Sequence, residues 1–528
     1  MLCPKESQRV DTYLLYLLEV NKAVSIVLSR GPGSREVLMV KRHSSLPFLG
    51  GYLAFVTGTL EDEDHETARA HLSIHGEEPG DYPAFLAAAA RELFEETGVW
   101  LARGTTLSRK KLQDYRRRIL DNQISFSEVL KRENQRLDSK DFAPMFPITT
   151  PQFILQHYDT WFLHCHIRAE DEVEIWPGEV EEGYFITPEE VLERWRKGTV
   201  LIAPPLPLLL HELAHGDCES FLPEARQLGE SLNRGELQQI YFSPGVLLAP
   251  LRTPTKPPAT HTNAYLVGDQ KLYLIDPATP HSSEQEKLWK LLDELLAQGK
   301  SIEGILLTHH HPDHVGAVAE CQRRYQLPLY AHRLTSQYLP DMDFSGSLEQ
   351  GQELDLGPSP DGQPGWKLRV YHLPGHAPGH LAFQETRYQA VIVGDLVSTL
   401  SSMLIDPTDG HLGTYIKSLR FLESVTNGLL YPSHGPPARE GRKLVQKVLN
   451  HRYKRKQQIL EALDTQPQTL EKLVNEIYAK FDQRTKKLAR RSLHSSLIQL
   501  IEEGQAEETE KGYRLSAPGR ERALGVES

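Results

Sequence analysis

The stretch Thr308-His309-His310-His311-Pro312-Asp313-His314-Val315-Gly316 places four histidines and one carboxylate within nine consecutive residues. It follows an apolar run, Ile305-Leu306-Leu307, that is typical of the end of a buried strand, and it precedes a segment with a helical pattern. The sequence therefore predicts that these side chains share one strand-to-helix turn. Neutral imidazoles and carboxylates are ligands of divalent transition metals, of which zinc is the usual one. The alternative is a polar turn in which Asp313 only caps the helix.

The pattern His309-x-His311-x-Asp313-His314 resembles the ligand motif of the metallo-β-lactamase superfamily. The other positions of that motif follow in the family's order. They are His376 after Pro374-Gly375, Asp395 after the apolar run 391–394, and His434 before Gly435. The resemblance implies an αββα sandwich that binds two zinc ions.

The same resemblance implies a role for each residue. The implied ligands of one zinc ion are His309, His311 and His376. Those of the other are Asp313, His314 and His434, with Asp395 as the bridge, and Asp313 and Asp395 are also the expected catalytic residues. Asp276, at the end of a predicted strand, is implied to bond the loop that carries the ligands and so to orient them. His310 is expected to point away from the metals.

A second cluster of acidic residues lies in the first part of the chain. Two predicted strands, Ala23–Leu28 and Glu36–Arg42, come first. The segment Phe85–Val99 follows, and its predicted helix ends at Gly98. Glu92, Glu95 and Glu96 fall at i, i+3 and i+4 of that helix, where like charges repel one another unless cations lie between them. Magnesium takes oxygen ligands and suits this arrangement.

Arg91-Glu92-x-x-Glu95-Glu96-x-Gly98 resembles the Nudix box, and Gly58 matches the glycine that opens that motif. Asp64 stands where the family has glutamate, and 26 residues separate it from Arg91 where the family has about seven. The resemblance implies an α/β/α sandwich with pyrophosphohydrolase activity. It implies that Glu95 and Glu96 bind Mg²⁺ (or Mn²⁺), that Glu92 is the catalytic base or a third ligand, and that Arg91 orients them. The alternative is a Nudix-like fold in which these glutamates form only a solvated helix face.

The last part of the chain is predicted to form three helices and a hairpin, a pattern typical of a winged helix. The helices are predicted around Asn450–Leu460, Thr469–Phe481 and Leu488–Glu503, and the hairpin around Gln505–Thr509 and Gly512–Leu515. The run from Tyr431-Pro432-Ser433-His434-Gly435-Pro436 to Gln457-Gln458-Ile459-Leu460 resembles the β-lactamase-like endoribonucleases, which carry a C-terminal winged helix.

This C-terminal part holds 18 lysines and arginines against 12 acidic residues, on a chain whose net charge is −12. Its basic residues could contact nucleic acid phosphates. They are Lys454, Arg455, Lys456, Lys486, Lys487, Arg490 and Arg491. The alternative is that the module only walls the active site or mediates dimer formation, and the oligomeric state stays open.

The length of 528 residues predicts about three domains, and the resemblances imply an α/β multidomain protein. We expect a Nudix-like domain at 1–235, a metallo-β-lactamase domain at 236–440 and a winged-helix-like domain at 441–528. The 528 residues are 39% hydrophobic and 25% charged, as is typical of a globular protein, and we find no apolar run long enough to span a membrane. Four widely spaced cysteines predict reduced thiols and a cytoplasmic location.

The function predicted first is a binuclear zinc hydrolase that cleaves a phosphodiester, in single-stranded RNA or a phosphorylated small molecule, joined to a magnesium-dependent Nudix pyrophosphohydrolase. Asp395 disfavours antibiotic cleavage, because the commonest zinc β-lactamases have cysteine at that position. One alternative is a thioesterase of the glyoxalase II (hydroxyacylglutathione hydrolase) type. Another is a nucleic-acid-binding protein with a degenerate Nudix site.

Overall fold

A computed structural model describes residues 20–31, 33, 35–47, 49–76, 80–151, 153–154, 156–169, 171–176, 178, 180–216, 227, 229–231 and 239–517. The chain divides into two compact units, one that ends at Pro244 and one that begins at Gly245. The domain boundary predicted at 235 lies outside the described residues. The boundary predicted at 440 stays a prediction, and the residues on both sides of it belong to the second unit. None of the described helices is long and apolar enough to cross a bilayer.

The first unit is a mixed sheet with helices against it. Its elements are β1 (Asn21–Arg30), β2 (Glu36–Arg42), β3 (Leu53–Ala54), β4 (Val56–Thr59), α1 (Asp62–His71), β5 (Leu72–Ser73), α2 (Tyr82–Thr97), α3 (Arg109–Leu120), α4 (Phe126–Arg132), β6 (Leu137–Asp138), β7 (Ala143–Thr149), β8 (Tyr158–Ile167), β9 (Val180–Ile186), α5 (Pro188–Arg196), α6 (Leu206–Leu213) and β10 (Ile240–Ser243). The main sheet has the order β3-β2-β1-β8-β7, with β4 on β1 and β9 on β2. The two predicted strands correspond to β1 and β2.

Helix α2 forms the centre of this unit. Val24, Ile26 and Leu28 lie on one face of β1, because successive strand side chains alternate, and they join one buried cluster with the apolar side of α2. The helix ends where predicted, at Gly98, whose φ of 73° is left-handed. The buried residues of α2 are not confined to its apolar face. Arg91 and Glu92 are buried as well, so the glutamate-bearing side of α2 is not simply a solvated helix face.

The second unit contains two sheets, further helices and a hairpin. Its elements are β11 (Val246–Arg252), β12 (His261–Gly268), β13 (Lys271–Ile275), α7 (Ser282–Ala297), β14 (Ser301–Leu306), α8 (Pro312–Val315), α9 (Val318–Tyr325), β15 (Leu329–Ala331), α10 (Arg333–Gln337), β16 (Gly346–Ser347), β17 (Glu353–Gly357), β18 (Trp366–His372), β19 (Leu381–Glu385), β20 (Val391–Gly394), α11 (Leu412–Val425), β21 (Leu430–Pro432), α12 (Gly441–Ala462), α13 (Leu470–Ile477), α14 (Gln483–Glu502), β22 (Ala506–Thr509) and β23 (Gly512–Leu515).

One sheet includes β11-β12-β13-β14-β15-β16 in that order, and the other has the order β17-β18-β19-β20-β21. The two sheets contact each other through β12, β13 and β17. Helix α7 packs on the first sheet through an apolar stripe that includes Leu288, Leu292 and Leu295. Helices α11 and α12 share a buried cluster with the second sheet, to which Leu419 and Val445 belong. The α/β multidomain class predicted from the sequence is confirmed.

The C-terminal module consists of α12, α13, α14 and the β22–β23 hairpin, around one buried cluster. Leu493, Leu497 and Leu500 form a buried apolar stripe along α14. Helix α12 begins at Gly441, earlier than the predicted start near Asn450. The reason is that its first turns pack on the second sheet, so tertiary contacts extend the helix beyond the basic segment. The winged-helix description stays a prediction.

Asn263 on β12 ties the first sheet to the end of β21. Its side-chain amide donates to the carbonyl oxygens of Pro432 (2.9 Å) and Gly435 (2.8 Å), and its main-chain N–H donates to Ser433 O (2.8 Å). The hydroxyl of Tyr265 also donates to Pro432 O, at 2.6 Å. The side chain of Asn263 therefore positions the loop that carries His434.

We expect Asn263→Ala to lower the opening free energy of this loop by about 1–3 kcal/mol, because the buried carbonyl of Gly435 loses its side-chain donor. Hydrogen exchange followed by mass spectrometry on peptides around residues 430–436 measures this change. Asn450→Ala, at an exposed position of α12, is the matched control and should leave the same peptides unchanged. Equal exchange in both variants would contradict the role given to Asn263.

Candidate metal centre

The histidine-rich turn lies between β14 and the short helix α8, as the sequence predicts. Its shape depends on Asp276, a buried residue with a left-handed φ of 49°. One carboxylate oxygen of Asp276 accepts from Thr308 N at 2.8 Å. The other accepts from Thr308 Oγ1 at 2.6 Å and from His314 Nδ1 at 2.8 Å. Asp276 thus bonds both ends of the turn, which is the role that the resemblance implied for it.

Three imidazole nitrogens converge at the first half of the site. His311 Nδ1 lies 2.9 Å from His309 Nε2 and 3.0 Å from His376 Nε2. The opposite nitrogen of His376, Nδ1, donates to Leu404 O at 3.2 Å, and that of His311, Nε2, donates to Asp409 at 2.8 Å. A carbonyl or carboxylate accepts only, so these bonds assign the ring protons. In neutral rings the converging nitrogens therefore carry lone pairs.

The same reasoning holds for His309. Thr308 Oγ1 uses its proton on Asp276, and so it accepts from His309 Nδ1 at 2.9 Å. The lone pair of His309 Nε2 is then directed at the other two imidazoles. Burial and the neighbouring imidazoles hold the pKa of His309 well below its usual value, and burial lowers the pKa of His376 to about 4. Both rings are neutral near pH 7, the form that binds a metal.

The second half of the site contains Asp313, His314 and His434. His434 Nε2 lies 3.8 Å from Asp313 Oδ2, and His434 Nδ1 donates to His261 O at 2.9 Å. The ligand atoms of these three residues lie within 4.8 Å of one another. Burial alone would lower the pKa of His314 and of His434, but the carboxylate of Asp395 raises both.

Asp395 joins the two halves. Its Oδ2 lies 3.4 Å from His376 Nε2, while its Oδ1 lies 3.4 Å from His434 Nε2 and 3.6 Å from His314 Nε2. Oδ1 of Asp395 and Nε2 of His314 are both buried without a hydrogen-bond partner. Burying such groups unpaired is costly. A pair of divalent cations would satisfy them, and the nitrogen and oxygen donors are those that zinc takes. The residues present therefore fit a two-metal site.

Residues 257–434 match a family model, that of the metallo-beta-lactamase superfamily. This region is a metallo-beta-lactamase superfamily domain. The family expectation for this part of the chain is confirmed, and the domain contains all seven predicted ligands. The endoribonuclease branch stays a prediction.

Curated proteins also match part of this chain. The lactamase-like protein adaB of Aspergillus niger is 31% identical over 206 residues, which are 38% of this chain and 59% of that protein. A hydroxyacylglutathione hydrolase of Bdellovibrio bacteriovorus is 33% identical over 107 residues, which are 20% of this chain and 39% of that protein. The chain thus spans less than two thirds of either relative. Among solved structures, a NUDIX hydrolase from Alicyclobacillus acidocaldarius is 24% identical and covers 39% of this chain and 96% of its own, with a TM-score of 0.35.

Asp409 is a functional residue of the metallo-beta-lactamase domain that the sequence did not indicate. Its Oδ2 accepts from His311 at 2.8 Å and lies 3.2 Å from His310 Nε2. Burial opposes its ionisation, but the hydrogen bonds from His310 and His311 hold its pKa well below the usual value. Asp409 stands 98 positions after His311, in a loop without an apolar period, so no local pattern indicates it. His310 points to Asp409 and stacks on Tyr338, with 4.1 Å between ring centroids.

His372 and His380 are two further histidines of the domain. His380 Nε2 accepts from the main-chain N–H of Asp395 at 3.1 Å and so orients the bridging residue. His372 stacks on His332, with 3.9 Å between ring centroids, and its Nε2 donates to Pro378 O at 2.9 Å. His380 therefore bonds a predicted ligand directly, whereas His372 bonds the main chain two residues after His376.

The glutamate cluster of the first unit is organised by Arg91. Its guanidinium donates to both oxygens of Asp64, at 3.0 and 2.9 Å, and to Glu92 at 2.8 Å, and it lies 3.5 Å from Glu95. Burial raises the pKa of Glu95 to about 7, against the effect of Arg91. A Cβ atom at Gly58 would lie 1.8 Å from the carboxyl carbon of Glu92, so only glycine permits this approach.

The carboxylates of this cluster are not gathered as metal ligands would be. Among the described residues, three groups of histidines and acidic residues bring their ligand atoms within 4.8 Å of one another, and none includes Glu92, Glu95 or Glu96. The predicted Mg²⁺ site at these residues therefore stays a prediction.

The substitution Asp276→Ala tests whether Asp276 orients the predicted ligands of the histidine-rich turn. We expect Asp276→Ala to weaken zinc binding about 10- to 100-fold, because His314 and Thr308 lose the acceptor that orients the ligands. Competition with a chromophoric zinc chelator measures the affinity of the full chain. Asp355→Ala, which removes an exposed carboxylate that pairs with Lys271 on the surface, is the control. Comparable affinities for Asp276→Ala and the unaltered chain would refute this role.

Proposed function

We propose that residues 245–517 act as a hydrolase with two divalent cations, zinc being the first choice. The observation that carries this proposal is the position of Asp395, whose two oxygens face two separate sets of imidazoles. The residues that would hold the cations are His309, His311 and His376 on one side, Asp313, His314 and His434 on the other, and Asp395 between them. When bound, the cations supply an activated water and neutralise the charge that develops on the attacked group.

The side chains of this site have distinct tasks. His309 and His314 are fully buried, so they hold the core of the centre and exclude water from it. His311 and Asp313 are the more accessible ligands, with side chains 24% and 19% exposed. The substrate therefore reaches the centre from their side. Asp313 is the carboxylate placed to move a proton between the substrate and solvent.

A thioester is our first substrate candidate. The relative named a hydroxyacylglutathione hydrolase supports it, as does the state of the basic residues in the C-terminal module. Several of those cations already have intramolecular partners. Lys456 pairs with Glu503, Arg490 with Glu471 and Arg491 with Asp406, Lys486 donates to Asn475, and Arg455 lies over the ring of Tyr478. Binding RNA through these side chains would have to break such contacts.

Single-stranded RNA is the second candidate. Three helices followed by a hairpin support it, because this arrangement is typical of nucleic-acid-binding modules. Lys454 and Lys487 are exposed and could contact phosphates. The expected partner in this case is a single-stranded segment, read through its backbone.

We also propose a magnesium-dependent pyrophosphohydrolase activity for the first unit. The support is the bidentate pair of Arg91 and Asp64, together with the approach of Gly58 to Glu92. Glu95 and Glu96 would bind Mg²⁺ or Mn²⁺, with Glu92 as base. The substrate class is a phosphorylated small molecule with a diphosphate linkage.

Asp395→Ala tests the first activity. The purified full chain should contain about two zinc ions, and the variant should lose zinc-dependent hydrolysis because the two ligand sets lose their shared carboxylate. A parallel assay with acyl-glutathione, single-stranded RNA and nucleoside diphosphate derivatives identifies the substrate class. Asp293→Ala, on the exposed face of α7, is the control. Full activity of Asp395→Ala would rule out this centre.

Glu96→Gln tests the second activity separately. We expect it to abolish magnesium-dependent hydrolysis of the nucleoside diphosphate derivative, because a neutral amide is a poor ligand for Mg²⁺. Zinc-dependent hydrolysis should stay unchanged. Glu190→Gln, at an exposed site in α5, is the matched control. Unchanged magnesium-dependent activity in Glu96→Gln would remove Glu96 from the proposed site.

A further inference from the structure

The loop between β20 and α11 supplies two of the groups that orient metal ligands. Leu404 O accepts from His376 Nδ1, and Asp409 accepts from His311 Nε2. Both bonds hold an imidazole with its lone pair towards the first metal position. We call residues 402–411 the orienting loop.

Asp406 shapes this loop from within. Its Oδ1 accepts from the main-chain N–H and the hydroxyl of Thr408, at 3.1 and 2.9 Å. Its main-chain oxygen accepts from Gly410 N at 2.6 Å. The turn that these bonds form contains Asp409. The position of Asp409 relative to His311 therefore depends on that of Asp406.

The C-terminal module holds the orienting loop at several points. The guanidinium of Arg491 on α14 forms an ion pair with Oδ2 of Asp406, whose side chain is only 12% exposed. His411 Nε2 lies 2.8 Å from a carboxylate oxygen of Glu502, also on α14. Two contacts from α12 complete the interface: Arg452 donates to Met403 O, and His451 Nδ1 lies 3.3 Å from Ser402 Oγ.

We infer that Arg491 is a positioning residue for the metal centre. Its charge fixes the buried carboxylate of Asp406, which sets the turn and so holds Asp409 against His311. Without Arg491, Asp406 would keep an unpaired charge in a largely buried position, and the turn would relax towards solvent. This inference rests on the proposed two-metal function. It gives the module a task in the metal centre, and it assigns Arg491 to that task instead of to a nucleic acid.

The test measures metal binding by the full chain. In competition with a chromophoric chelator, Arg491→Ala should bind zinc about 10-fold more weakly, the lower end of the range for groups that orient ligands. The visible spectrum of the Co²⁺-loaded protein should change with it, since His311 reorients. Arg491→Lys retains the charge and should restore most of the affinity. Arg490→Ala is the matched control, because Arg490 precedes Arg491 and pairs with Glu471 within the module.

A double substitution separates this linkage from a general loss of structure. Asp409→Ala should weaken zinc binding about 10- to 100-fold, and adding Arg491→Ala should weaken it no further, because both act through one hydrogen bond. Asp406→Asn, at the other end of the ion pair, should reproduce the loss and serves if Arg491→Ala does not fold. Additive losses in the double variant would overturn the inference about Arg491. So would wild-type zinc affinity together with an unchanged Co²⁺ spectrum in Arg491→Ala. Neither result would contradict the proposed two-metal function. A wild-type chain that binds no stoichiometric zinc would overturn the proposed function as well.

Discussion

The carboxylate of Asp276 is the contact on which the site depends. It accepts three hydrogen bonds, two from Thr308 and one from His314, in a position closed to solvent. Each bond fixes a different feature: the main chain at the start of the turn, the hydroxyl that sets the proton of His309, and the ring of His314. Hydrogen bonds to a buried charge are stronger than those between neutral groups. One side chain on the first sheet thus orients ligands on both halves of the centre.

The second sheet places two of the predicted ligands at the ends of its strands. Asp395 follows β20 and His434 follows β21, and the main-chain N–H of Ser433 donates to Gly394 O at 3.2 Å, so the two residues keep a fixed separation. Asn263 joins this edge to the first sheet. The ligands therefore come from chain segments far apart in sequence, yet each is tied to a rigid neighbour. Such a scaffold holds the lone pairs of the ligand nitrogens and oxygens close together before any ion binds. This lowers the free-energy cost of organising the site when an ion binds.

The sequence could predict the candidate ligands but not all the groups that hydrogen-bond to them. Four of the seven predicted ligands lie within the six residues 309–314. Asp395 follows an apolar run, and His376 and His434 each stand next to a glycine, so pattern and spacing are enough to find them. Leu404 and His261 act through main-chain oxygens, which leave no trace in side-chain identity. Asp409 depends on a turn formed by Asp406 and held by a helix late in the chain. The early start of α12 has a similar cause, since tertiary packing and not local propensity sets it.

The pair of Arg91 and Asp64 has a consequence for how the first unit can vary. The two residues stand 27 positions apart, and their side chains close the intervening segment with two hydrogen bonds. Closing a longer loop costs little, about 0.6 kcal/mol for each doubling of its length. A charged pair of this strength can outweigh such a cost. Added residues between α1 and α2 would therefore cost this unit little, provided that the pair of Arg91 and Asp64 still forms.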